Sequence, residues 1–265
     1  MSVLARHNVR VAGAPDGRPL VLVHGLGCDQ SMWRLVLPDL AADYRVVLLD
    51  LAGHGGADRS AYDPDRHGSL AGWAADVVEV CRELDLRDAV LVGHSVSAMI
   101  GALAVQEAPE LFGALVMVGP SPRYVDEGDY VGGFSRADIA DLLAAQAANH
   151  VGWAAAMAPV IMANPDRPEL AGELAELFCR SDPDVVGHLA RVTFLSDNRA
   201  DLPRVAVPTL VLQCSEDVIA PVPVGRYVHA HVPDSSFVQL RATGHCPQLS
   251  APEETTAAIR AFLGR

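Results

Sequence analysis

Short apolar runs rich in Val and Leu recur along the chain between longer stretches whose apolar residues fall three and four apart, and this alternation limits the fold more than any other feature. A run that is apolar at every position is buried on both faces. Such strands need helices packed above and below them, as in a parallel sheet with helical crossovers. The runs at 20–23, 45–50, 89–92, 114–118, 209–213 and 236–240 are the candidate strands, and 7–12 is expected to pair at the sheet edge. Helical patterns at 31–42, 69–84, 97–108, 221–231 and 252–263 separate them. The expectation is an α/β fold on a doubly wound, mostly parallel sheet.

The alternation stops after Val118. From 120 to 198 no convincing strand occurs, and helical stretches at 135–149, 152–163, 168–179 and 183–195 are divided by Gly and Pro. At 265 residues the chain is near the ~250 to 300 that one core organises, so a single domain with an insertion is the simplest division. Residues 1–119 and 199–265 are read as the core, and 120–198 as a four-helix cap, or lid, over one sheet edge after the sixth strand.

All 20 basic residues are arginine, and the absence of lysine removes a pyridoxal Schiff base, a lysine nucleophile and a Walker-type phosphate loop. Against 33 acidic residues they leave a formal charge of -13, which repels phosphate backbones and anionic lipid, so nucleic acid is not an expected partner. The same charge favours neutral over anionic substrates. No apolar run approaches the ~18 to 20 residues that span a bilayer, and residues 1–10 hold no signal-peptide core, so no membrane association and a cytoplasmic location are expected. Five cysteines, Cys28, Cys81, Cys179, Cys214 and Cys246, are widely spaced without C-x-x-C, which suggests free thiols rather than disulfides or a zinc site.

The chemistry concentrates where the run at 89–92 meets a helix. Gly93-His94-Ser95-Val96-Ser97 has the strand-to-helix setting of a nucleophile elbow, in which a tight turn projects a serine hydroxyl above the sheet edge. A bland helix cap at Ser95 is the competing reading. A serine needs an imidazole to take its proton and a carboxylate to orient that imidazole. Loops after strand ends converge on one sheet edge, so both partners should follow other strands. The run at 209–213 leads into Glu216-Asp217, and that at 236–240 into Gly244-His245. Asp217 is preferred as the acid, with Glu216 its rival. The order Ser95, Asp217, His245 is that of α/β-hydrolases and differs from chymotrypsin-like and subtilisin-like enzymes.

Attack on a carbonyl creates an oxyanion, for which two backbone N–H donors are expected: Val96 after the nucleophile, and Leu26 in the tight turn after the run at 20–23. A dinucleotide site is disfavoured there, because Gly25-x-Gly27 has Gln30 where a third glycine would stand. No cofactor or metal is expected. His24, His54 and His94 border turns and are read as loop hydrogen-bonding groups, His229 and His231 lack a third ligand, and the 50–56 segment is read as a structural turn.

Five blocks carry a resemblance: residues 93–101 (Gly-His-Ser-Val-Ser-Ala-Met-Ile-Gly), Asp29-Gln30-Ser31 with Trp33, Ser121-Pro122-Arg123-Tyr124-Val125, Gly132-Gly133-Phe134, and Gly244-His245 followed by Pro247-Gln248-Leu249-Ser250. Together the chain resembles the α/β-hydrolase family of the bacterial stress regulator RsbQ and the plant karrikin and strigolactone receptors. The resemblance implies a triad of Ser95, Asp217 and His245 under a V of four cap helices. It also implies a pocket lined by Tyr124, Phe134, Leu142, Trp153, Met157, Phe194 and Ile219. One departure is Leu26, where the family usually has phenylalanine. The expected activity is a cofactor-independent serine hydrolase of carboxylesterase or lactonase type acting on small neutral esters or lactones. The resemblance also implies an alternative, a slow-turnover ligand sensor that signals to a protein partner. A haloalkane dehalogenase or epoxide hydrolase is disfavoured, because those place Asp where this chain has Ser95.

Overall fold

The computed structural model describes residues 1–264. In chain order its strands are β1 (Arg10–Gly13), β2 (Pro19–Val23), β3 (Arg45–Leu49), β4 (Ala89–His94), β5 (Phe112–Val118), β6 (Thr209–Gln213) and β7 (Ser235–Gln239). They form one sheet ordered β1-β3-β2-β4-β5-β6-β7. All neighbours are parallel except β1, which runs antiparallel to β3 at the edge. Successive side chains of a strand point to opposite faces. Val21, Val47, Leu91 and Leu115 accordingly enter one core layer, and Leu22, Val46, Val92 and Val116 the other. Burial on both faces explains why the central positions of β2, β3, β4 and β5 are apolar without alternation.

The helices are α1 (Val3–Arg6), α2 (Leu37–Ala41), α3 (Leu70–Glu83), α4 (Val96–Glu107), α5 (Arg136–Ala148), α6 (His150–Met162), α7 (Pro168–Arg180), α8 (Pro183–Leu195), α9 (Val222–His231), α10 (Pro247–Ser250) and α11 (Pro252–Leu263). Two differences from the sequence reading stand out. The pattern at 31–42 divides into a 3-10 turn, Gln30–Trp33, and the short α2, because Pro38 lacks an N–H and is tolerated only in a first turn. The inserted helices follow β5, the fifth strand rather than a sixth. The N-terminal segment yields the single strand β1, and the residues before it form α1.

Between β5 and β6 the chain builds α5 to α8, with α7 packed along α6 and α8 against α5. Ser135 and Asp138 cap α5 reciprocally, at 3.1 and 2.8 Å. The two segments joining these helices to the sheet are tied together by Arg123, which pairs with Asp197 at 2.5 Å and Glu127 at 2.9 Å, and by Arg199, which bridges the same two carboxylates. Among the described residues no helix is long and apolar enough to cross a membrane.

Candidate active site

β4 ends at His94, and Ser95 turns the chain into α4 with φ 59° and ψ -123°. A non-glycine residue in that region is strained, and the strain is what lifts the side chain above the strand end. The turn closes only around a residue without a side chain: a Cβ on Gly93 would stand 2.0 Å from the Ser97 carbonyl oxygen. Ser97 in turn donates from Oγ to the His24 carbonyl at 2.5 Å, which ties the elbow to the loop after β2.

The loops after β6 and β7 complete a hydrogen-bonded line. Nε2 of His245 is 2.7 Å from the Ser95 Oγ, and its Nδ1 is 2.7 Å from Oδ2 of Asp217. The other carboxylate oxygen of Asp217 accepts from the N–H groups of Ile219 and Ala220, at 2.8 and 3.0 Å, so its own turn fixes the acid. All three side chains are buried, whereas Glu216 faces solvent. The shorter acid one residue farther along is therefore the one that meets the imidazole.

Val96 opens α4, whose first N–H groups have no partner within the helix. Leu26, in the loop after β2, lines a cavity of about 50 Å³ that also exposes Ser95 and His245. Tyr124, Leu142, Trp153, Met157, Phe194 and Ile219 share that wall. Phe134 does not reach it. Its ring packs edge-on against Phe194 at 6.1 Å, and Phe194 in turn meets Tyr124 edge-on with centroids 4.8 Å apart. Burial pushes the Tyr124 phenol up, and its closeness to the Ser95 hydroxyl works the other way.

Sequence reasoning passed over other wall residues, including Ile161, Leu174, Phe178 and Thr193. Leu170, Leu174, Leu177 and Phe178 recur at helical spacing along α7, which signals a buried face but does not tell packing from cavity wall. Thr193 carries a buried hydroxyl without a hydrogen-bond partner among the described residues, and no local pattern marks it. Cys28 and Cys246 also face the cavity, but burial pushes both thiols well above their usual range, so neither supplies a thiolate. His24 and His54 make the local bonds expected of them, to the Gly25 carbonyl and the Ala52 carbonyl.

The sequence profile of the alpha/beta hydrolase family matches residues 20–259. The chain belongs to that family. The strigolactone esterase D14 of Arabidopsis thaliana is 38% identical over 265 residues, spanning 100% of this chain and 98% of the relative. The Karrikin insensitive 2 receptor CA of Petunia hybrida is 37% identical over 248 residues, spanning 93% and 92%. Among solved structures, a hydrolase from Oleispira antarctica superposes with a TM-score of 0.96 at 35% identity, covering 99% of this chain and 96% of that one. The likeness to plant karrikin and strigolactone proteins thus extends over nearly the whole alpha/beta hydrolase chain, and one of these relatives is named for esterase activity and the other as a receptor.

Proposed function

We propose that the protein is a cofactor-independent serine hydrolase that cleaves small, neutral, apolar esters or lactones through an acyl-enzyme on Ser95. The observation that carries this reading is the unbroken line from Ser95 through His245 to Asp217, with both links at 2.7 Å. The Ser95 oxygen attacks the acyl carbonyl while its proton passes to Nε2 of His245, and Asp217 holds the imidazolium that forms. The N–H groups of Leu26 and Val96 receive the negative charge on the carbonyl oxygen. Collapse expels the alkoxide, which takes the proton from His245. Water then attacks the acyl group with His245 as base, the acid departs, and Ser95 is regenerated. Residues 120–198 act as a lid whose inner wall favours small apolar acyl groups, since a cavity of about 50 Å³ must widen to admit anything large. Free cysteines at all five positions fit a reducing compartment such as the cytoplasm.

Replacing Ser95 tests the proposal directly. Ser95→Ala should lower kcat on p-nitrophenyl acetate by about 10⁴-fold or more, and a variant that turns over like wild type would remove Ser95 from the mechanism. The near-full-length identity to relatives named as receptors favours a second reading, in which hydrolysis is slow and the lid signals to a protein partner. Intact-mass time courses with a panel of esters, butenolides and larger lactones separate the two. An acyl adduct on Ser95 that clears within seconds supports metabolism, and one that persists for many minutes supports sensing.

A further inference from the structure

The geometry points to His94, the residue before the nucleophile, as a positioning residue that bolts the base loop to the elbow through the main chain of His245. This rests on the serine-hydrolase reading above and assigns a part in it to a side chain that borders the same cavity and reaches the base through its main chain. Nε2 of His94 lies 2.8 Å from the His245 carbonyl oxygen, and the side chain is buried. The two imidazole rings are 5.0 Å apart, and Trp33 meets His94 edge-on at 6.5 Å.

A carbonyl oxygen only accepts, so Nε2 must carry the proton. Burial, reinforced by repulsion from His245, pushes His94 down to about 3, so the ring is neutral at working pH and the other nitrogen is bare. That nitrogen, Nδ1, has no partner among the described residues and faces the loop after β2, where a Cβ on Gly25 would lie 2.8 Å from it. The tautomer is therefore settled by one bond. On its other side His245 donates its N–H to the Ile161 carbonyl of α6 at 2.8 Å. Both polar main-chain atoms of the base are thus held, one by the elbow and one by the inserted helices, before its ring reaches Ser95 and Asp217. Catalysis is sensitive to such placement, since a shift of ~1 Å at a reacting group costs on the order of 10²-fold.

His94→Phe keeps an aromatic ring and removes the donor, while His94→Gln carries an amide N–H about as far from the main chain as Nε2. The inference expects His94→Phe to lose about 10- to 100-fold in kcat on p-nitrophenyl acetate with KM within about twofold, and His94→Gln to recover most of that loss. A role confined to packing gives the reverse order, because the amide fits apolar surroundings worse. Equal losses in the two variants, or full kcat in His94→Phe, would overturn the inference. Labelling by a fluorophosphonate separates this from the underlying reading. Wild type that fails to label at Ser95 sinks the hydrolase reading and this inference with it, whereas wild type and His94→Phe labelling equally fast sinks the inference alone. Should His94→Phe not fold, ¹⁵N NMR of the wild type decides: the inference requires a neutral Nε2–H tautomer at His94 from about pH 5 to 8, and an Nδ1–H tautomer or an imidazolium refutes it.

Discussion

The sheet edge and the inserted helices contribute to one site in different ways. At the edge, three groups from the ends of β4, β6 and β7 meet through two 2.7 Å hydrogen bonds, and main-chain turns fix each of them. Among the described residues, the inserted helices offer no comparable network to the cavity; they present Leu142, Trp153, Met157 and Phe194 as an apolar wall. Directional bonds lose their value over fractions of an ångström, whereas apolar contact declines gradually with area. On the function proposed above, the hydrogen-bonded groups should consequently be intolerant of change, and the wall should be a surface on which substrate preference is adjusted. The largest expected effect tests the first half of that contrast. Asp217→Asn should lower kcat by about 10⁴-fold, because an amide favours the wrong imidazole tautomer, while Glu216→Gln, one residue away and exposed, should stay within about twofold. Comparable losses in both would mean that the loop as a whole, and not the Asp217 carboxylate, supports the base.

The second half predicts a smaller and differently shaped effect. Met157 is half-buried on α6 and lines the cavity, so Met157→Ala should enlarge the pocket without disturbing the hydrogen-bonded line. Lost apolar contact of this kind is worth about 1–3 kcal/mol. KM for acyl chains that reach α6 should rise about 10-fold, kcat should change by less than about threefold, and acetyl esters should be nearly unaffected. A collapse of kcat for every ester would break the separation, and the link from α6 to His245 through the Ile161 carbonyl is where that coupling would run.

The two regions are also legible in the sequence to different depths. Strands buried on both faces announce themselves, and the strand ends then locate Ser95, Asp217 and His245, because a parallel sheet gathers its carboxyl-end loops on one edge. The inserted helices are legible as helices through their periodic apolar faces and their Gly and Pro breaks. Their inner surface is not. An apolar residue on such a face looks alike whether it meets another side chain, as Phe134 meets Phe194, or an empty space, as Ile161 does. The role of His94 is illegible for a further reason: its partner is a main-chain carbonyl 151 residues away, which leaves no trace in local pattern.

Acid sharpens the comparison once more, because the most deeply buried histidines belong to the sheet region. Burial pushes both His54 and His94 down to about 3 from 6.5, and lowers His24 and His7 as well. Between those values the unfolded chain binds protons that the folded chain refuses, so stability falls as pH drops below 6.5 and continues to fall toward about 3. From about pH 6.5 to 4.5 each of His54 and His94 should remove about 2 kcal/mol. Urea unfolding at about pH 6.5, 5.5 and 4.5 measures the sum, and stability that holds level or rises on acidification contradicts the sign. His54→Asn should flatten the slope by that residue's share, since among the described residues its ring makes one weak bond, 3.2 Å to the Ala52 carbonyl, and its Nε2 has no partner. His188 on α8 is only half-buried and burial lowers it too, so His188→Asn should flatten the slope less than His54→Asn does. A protein whose acid sensitivity followed His188 instead would place its weakest point in the inserted helices and not in the sheet that carries Ser95, Asp217 and His245.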